Sequence, residues 1–349
     1  MKSKNLLIGL VCLLISVAVL SMSTKSQKSA ETPKFERIEI GTGGAPHWSP
    51  DGKRLAFMSG GWLCVKSANG KGEIKKVAEI RPSFFEWMSD SEFVVYEREY
   101  PKAESIAVMP TLSLKRITID GQVIPVVRDT TFTKTTPPRI TPPKVLPDGT
   151  VGYYECQVGY LDRECKDFKI IKQGKLKPDS ALKQMIATTE GYPAAGDIWL
   201  ESIDKSLRRQ VTSGDQKYDL PLLSPDNTKI LAGAWRYAAG LVILNLKGEL
   251  LADLDVDARM ISPDLMGGGE IVGATWSPDS KKILFNWTVE DGHFTYDKDI
   301  YMVNADGTGK IPIAATPNDI EKDAAWSPNG SKVAYRSRTT GKIFVVKIK

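Results

Sequence analysis

Two histidines and four cysteines are the residues of this 349-residue chain best suited to metal, nucleophilic or redox chemistry, and their spacing argues against most of it. No CxxC pair occurs, and the histidines, His47 and His293, stand far apart, so neither a metal site nor another cofactor is expected. His293 has Asp291 and Asp297 beside it in NWTVEDGHFTYDKD, material for a base or a ligand, but a histidine in so polar a loop is more often simply solvated. His47 directly precedes Trp48 and reads as a packing or hydrogen-bonding residue. Cys156 and Cys165 lie nine positions apart in YECQVGYLDREC. An exported chain could close that loop with a disulfide, and two buried free thiols are the alternative. Cys64, in the apolar run WLCVK, reads as core. NADGTGK from Asn304 lacks the spacing and following helix of a phosphate loop and the carboxylates of a calcium loop, so it reads as a turn. No G-x-S-x-G elbow is present. An acid pair acting on a glycosidic bond is the one catalytic chemistry for which the composition supplies material.

The elements that would position such residues repeat along the chain. WSPDGKRLAF begins at Trp48, LSPDNTKILA at Leu223, WSPDSKKILF at Trp276 and WSPNGSKVAY at Trp326. WMSDSEFVVY from Trp87 and VLPDGTVGYY from Val145 are weaker copies, and LKPDSALKQMIAT from Leu176 fits with a short insertion. In each, an apolar strand ends at the Trp or Leu and a tight turn follows. Pro presets φ, the Asp side chain bonds nearby amides, and Gly or Asn accepts positive φ. A second strand such as RLAF or KILF completes a hairpin. Further hairpins follow in WLCVKSANGKGEIKKVA, GDIWLESIDKSLRRQVT, GLVILNLKGELLADL and DIYMVNADGTGKIPIAA.

Two hairpins per unit predict an all-β chain of four-stranded antiparallel blades, a β-propeller. The motif aspartates, or the equivalent Asn, fall at 51, 90, 148, 179, 226, 279 and 329. Seven blades are favoured over six, although the 31 residues between 148 and 179 are tight for four strands. The last motif is followed by material for three strands, and FERIEIGTG from Phe35 is a spare strand before the first. Pairing that strand with the last blade would close the ring.

With the strands of a blade lettered A to D from the centre outward, the SPDG and ADGTG turns are A–B and C–D connections and are short. The long connections then converge on the opposite face. They include 129–144 and 257–272 before strands A, and 97–105 and 286–299 as B–C loops. Binding residues concentrate on loops held by a rigid scaffold. The candidate contact residues are therefore Trp287, Asp291, His293, Phe294 and Tyr296 in one loop, with Trp235, Arg236 and Tyr237 in another. The repeated tryptophans at 48, 87, 276 and 326 read as space-fillers between sheets.

Residues 1–23 have a small positive head, Lys2 and Lys4, then an apolar run from Leu6 to Leu20 and small residues Ser21 and Ser23. This is the layout of a secretory signal peptide, with a retained N-terminal anchor as the second reading. Residues 24–33 read as a polar tether and 34–349 as the propeller domain. The net charge of +5 is spread among alternating acids and bases, without a basic block for nucleic acid. The expected location is periplasmic or extracellular, and membrane contact is expected through the N-terminal segment if it is retained.

The residues WSPDGK, WSPDSK and WSPNGS, with DIYMVNADGTG and DIWLESIDKSLRRQVT, resemble the WD-like propeller repeats of the TolB family. The resemblance spans Phe35 to Lys349 and implies the propeller fold. It concerns the propeller part, since no room is expected for the α/β domain of TolB between the leader and Trp48. The same repeat serves scaffolds and peptidase propellers, so it does not dictate activity. The expectation is a protein- or peptide-binding scaffold of the cell envelope rather than an enzyme, with a glycan as another ligand. The alternatives are a propeller lyase or glycoside hydrolase with a central-channel site, and a membrane-anchored sensor.

Overall fold

The repeated turn shows why these residues fold as they do. In WSPDG the Ser49 hydroxyl, fully buried, donates to Asp51 Oδ1 at 2.6 Å and accepts from the Arg54 amide at 3.0 Å, while the Lys53 amide donates to Asp51 Oδ1 at 3.0 Å. Ser224/Asp226, Ser277/Asp279 and Ser327/Asn329 repeat this geometry. Burial opposes ionisation of Asp226, but the hydroxyls of Ser224 and Thr228 outweigh it and bring its pKa to about 2. The fourth turn residue has positive φ at Gly52 (68°), Gly149 (87°), Asn227 (56°), Ser280 (60°) and Gly330 (69°), the region where Gly and Asn carry least strain.

The chain is described here by a computed structural model covering residues 35–99, 111–129, 139–158, 163–190, 196–235, 239–254, 270–290, 295–317 and 319–348. It forms seven antiparallel sheets. Blade 1 is β2 (His47–Trp48), β3 (Arg54–Ser59), β4 (Trp62–Ser67) and β5 (Lys75–Glu79). Blade 2 is β6 (Pro82–Ser89), β7 (Glu92–Glu99), β8 (Thr111–Thr118) and β9 (Val123–Asp129). Blade 3 holds β10 (Lys144–Val145), β11 (Val151–Val158) and β12 (Arg163–Lys172), and blade 4 holds β13 (Met185–Glu190), β14 (Asp197–Ser202) and β15 (Arg208–Gln210). Blade 5 is β16 (Lys217–Leu223), β17 (Lys229–Trp235), β18 (Ala239–Asn245) and β19 (Leu250–Asp253). Blade 6 is β20 (Glu270–Trp276), β21 (Lys282–Glu290), β22 (Thr295–Asn304) and β23 (Ile311–Ala314). Blade 7 is β24 (Glu321–Trp326), β25 (Lys332–Ser337) and β26 (Lys342–Lys347), completed by β1 (Arg37–Thr42). The pairing of β1 with β26 runs from Arg37 opposite Val346 to Thr42 opposite Lys342, which is the expected ring closure.

Two blades depart from the four-stranded expectation. The Leu176 repeat does not make a strand and tight turn. Its residues Pro178–Leu182 form a short helix with Pro at the helix start, where a missing N–H costs nothing. The tight spacing is thus met by leaving blade 3 without an outermost strand and blade 4 without an innermost one among the described residues.

Each blade interface holds one apolar cluster, and the seven clusters close a circle. Successive residues of a strand B face opposite neighbours. Leu55 and Phe57 pack toward blade 7 and Ala56 toward blade 2. Phe93 and Val95 pack toward blade 1, and Val94 and Tyr96 toward blade 3. Runs such as LAF and FVVY are apolar at every position because both faces of the sheet are covered.

The tryptophans add a directional contact to this packing. The indole N–H of Trp48 donates to the Ala325 carbonyl, that of Trp87 to His47 and that of Trp276 to Leu222, each at 3.0 Å. Each acceptor immediately precedes the motif Trp or Leu of the preceding blade. The indole N–H of Trp326 is buried without a hydrogen-bond partner. Trp276→Phe should therefore cost about 1 kcal/mol more than Trp326→Phe, the net value of one hydrogen bond. Urea unfolding of both variants checks this, and equal losses would contradict it.

Candidate functional site

Strand direction sorts the connections onto two rims. The A–B and C–D turns occupy one rim. The B–C and D–A connections leave from the other, among them the long stretches between Glu99 and Thr111, Asp129 and Lys144, and Asp253 and Glu270.

The candidate contact residues are distributed unevenly. Arg236, Tyr237, Asp291, His293 and Phe294 lie outside the described residues. Trp235 is the last residue of β17, paired with Lys217 and Ala239, so it stands at the long-connection rim. Tyr296 belongs to β22. The expected 286–299 loop is instead mostly strand, with β21 reaching Glu290 and β22 starting at Thr295. Trp287 is therefore not a loop residue. It pairs with Asp299, is 8% exposed and packs with Phe285, Leu231 and Trp276 between blades 5 and 6, which makes it part of the core. Cys156 and Cys165 face each other across β11 and β12 and are joined as a disulfide, and Cys64 is buried.

At the base of the blade 2 connection, charges are locked in place. Lys115 lies 2.8 Å from Glu97 and 2.6 Å from Glu99, and Arg128 lies 2.9 Å from Glu99. The Lys115 hydrogen bond, aided by its charge, holds the Glu99 carboxyl below the usual range against the effect of burial. This ladder presents polar groups in fixed positions with their charges balanced.

A second polar group sits between blades 6 and 7. Glu321, at the start of β24, is fully buried, and Thr316 Oγ1 donates to its Oε1 at 2.7 Å. Arg37 of β1 donates to Thr316 Oγ1 at 2.9 Å and lies 3.9 Å from the carboxylate. Asn286 Nδ2 donates to the Glu321 carbonyl at 2.9 Å. Burial pushes the Glu321 pKa up to about 7, and Asp299 adds to this while Thr316 and Arg37 oppose it. The neighbouring Tyr335 hydroxyl is buried without a hydrogen-bond partner, and burial raises its pKa as well. His47 Nδ1 lies 2.9 Å from Glu86 Oε2, tying the innermost strands of blades 1 and 2, in keeping with its reading as a bonding residue.

Sequence reasoning missed Glu321 and the Glu97–Arg128 ladder. For Glu321 a signal existed, since an acid opens the otherwise apolar approach EKDAAW to a motif Trp. The ladder had none, because its members come from three strands.

The molecule is thus a seven-bladed β-propeller with short turns on one rim and long connections on the other. No protein-family model matches the sequence, and no curated protein matches it. Among solved structures it is similar to a putative TolB from Agrobacterium tumefaciens, at 17% identity over 90% of this chain and 97% of that one, with a TM-score of 0.38. It is also similar to an oligogalacturonate lyase from Vibrio parahaemolyticus, at 14% identity over 87% of this chain and 77% of that one, with a TM-score of 0.38. A third is an oligogalacturonate lyase in complex with manganese, at 13% identity over 87% and 76%, with a TM-score of 0.39. At these identities the likeness concerns the fold alone. Among the described residues no group of three or more His, Cys, Asp or Glu could hold a metal, and no helix is long and apolar enough to cross a membrane.

Glu321 makes a pH prediction. A carboxyl whose pKa is raised on folding stabilises the fold while protonated, and that contribution is lost as pH rises from its unfolded value toward about 7. Glu321→Gln should unfold together with the parent near pH 4 and be roughly 3 kcal/mol more stable at pH 8.5, the shift converted at about 1.4 kcal/mol per pH unit. Chemical denaturation at both pH values checks this. A Gln variant weaker at both would contradict it.

Proposed function

We propose that this chain is an exported binding module that holds a protein or peptide partner on the long-connection rim of its propeller. The observation carrying this reading is the sorting of connections, with tight turns on one rim and the stretches 100–110, 130–143 and 255–269 on the other. A closed ring of seven packed interfaces supplies a rigid base, and rigid bases carrying long connections favour recognition at low ordering cost. Trp235 stands at that rim, and the Glu97–Arg128 ladder offers prearranged polar partners beside one connection. Trp287 is removed from the proposed contact set, and Arg236, Tyr237, Asp291, His293, Phe294 and Tyr296 stay in it as sequence candidates. Export rests on the leader pattern of residues 1–23, and a periplasmic or cell-surface scaffold role follows from it.

The test is affinity capture from native cell envelope with three baits. These are the parent propeller, a variant with Asp291–Phe294 replaced by Asn-Gly, and a turn-rim control, Lys71→Glu. A partner recovered by the parent and the control but lost from the loop variant is expected. Equal recovery by all three, or loss from Lys71→Glu alone, would place binding elsewhere, and a retained glycan in place of a protein would change the ligand class.

A further inference from the structure

The irregularity of blades 3 and 4 leaves a cavity that the binding rim does not require. Twelve residues separate β12 from β13, and they carry the helix Pro178–Leu182 in place of the missing strands. The helix is anchored through its C-terminal residues. The Asp204 amide donates to the Leu182 carbonyl at 3.0 Å, and the Ile203 amide to that of Gln184 at 3.1 Å. Elsewhere an innermost strand and its Ser-Pro-Asp turn fill the turn rim. Here β13 lies directly against β16, and a cavity of about 490 Å³ opens between the helix, Pro147 of blade 3 and Leu223 and Leu246 of blade 5. That volume lies within the range of small-molecule sites, roughly 300–1,000 Å³.

The lining has a definite polarity. Met185, Leu200, Leu223 and Leu246 form an apolar surface, while Lys183 and Arg209 contribute charge, and no Asp or Glu lines the cavity. The Lys183 ammonium is already held by Asp204 at 2.7 Å and by the Ser206 hydroxyl. Arg209 is different. One Nη donates to the neutral Leu246 carbonyl at 2.9 Å, and among the described residues no carboxylate is paired with it. Gln184 is fully engaged, donating to Asp148 Oδ1 at 2.9 Å and to the Ala181 carbonyl at 3.0 Å, so it is not free to neutralise or bind anything in the cavity. A guanidinium without a counter-charge, set beside an apolar wall, is matched by a ligand with one anionic head and an apolar body. Two exposed leucines, Leu207 and Leu222, flank lining residues in the chain and extend the apolar character outward.

The geometry points to a second binding site in this cavity, independent of the long-connection rim, for a small amphipathic monoanion whose carboxylate or sulfonate meets Arg209 and whose apolar part lies on Met185, Leu200, Leu223 and Leu246.

The probe is 8-anilinonaphthalene-1-sulfonate, followed by its fluorescence on the folded propeller, with decanoate and decanol as competitors. Saturable binding at one site is expected, displaced by decanoate and much less by decanol. Arg209→Met should weaken probe binding about tenfold, the loss of one charge-assisted hydrogen bond. Leu246→Trp, which fills the cavity, should abolish it. Unfolding midpoints of both variants show whether the fold is retained, and Arg209→Met alone decides the matter if Leu246→Trp does not fold. Absence of saturable binding, displacement by decanol equal to that by decanoate, or parent-like affinity in a folded Arg209→Met variant would overturn the site.

Discussion

The structure depends on contact between neighbouring blades, because a blade is apolar on both faces and cannot bury either alone. Alternate residues of Leu55–Phe57 and Phe93–Tyr96 face opposite neighbours, so each sheet is a core wall twice over. Removing one neighbour would expose a whole wall of such residues, at about 25 cal/mol per Å² of apolar surface. A ring satisfies this requirement for every member, and an open row would not. The indole hydrogen bonds from Trp48, Trp87 and Trp276 fix the height at which adjacent innermost strands meet, which apolar packing alone leaves loose.

That constraint explains the part played by β1. With β26 as its outermost strand, blade 7 would present an unpaired edge, and Ile40, which packs with Phe57 and Val345, would leave the interface with blade 1. Arg37, from the same strand, reaches the Thr316–Glu321 pair at the interface with blade 6. One strand thus serves both interfaces of the closing blade. The electrostatics of the two rims also differ in sign. Turn carboxylates such as Asp226 are held ionised by hydroxyls and amides, whereas Glu321 is driven by burial toward its neutral form.

Much of this was legible in the sequence, for physical reasons. The Ser-Pro-Asp-Gly turns announce themselves because each residue meets a separate need of one backbone shape, and they mark six of the seven blades. The seventh, at Pro178, was misread in detail. Its Pro and Asp suit the start of a helix as well as a turn, and the choice was made by spacing, which leaves no room for two more strands. Trp287 was taken for a loop residue because Asn286, Thr288 and Glu290 around it are polar. Covered sheets tolerate such residues at strand ends, and the pairing with β22 buries the indole between them. Bulges in β16, β20 and β24 had no signal at all. Positive φ at Leu220 (42°), Gly273 (64°) and Asp323 (57°) falls at one place in three blades, on residue types that share no chemistry.

The central claim is that a ring of seven blades is closed by β1 against β26. Amide hydrogen exchange of the native chain tests it most directly, since closure predicts that the bonded amides within Arg37–Thr42 exchange as slowly as those of Lys342–Lys347. Exchange of the Arg37–Thr42 amides at the rate of exposed chain, with Lys342–Lys347 still protected, would contradict it.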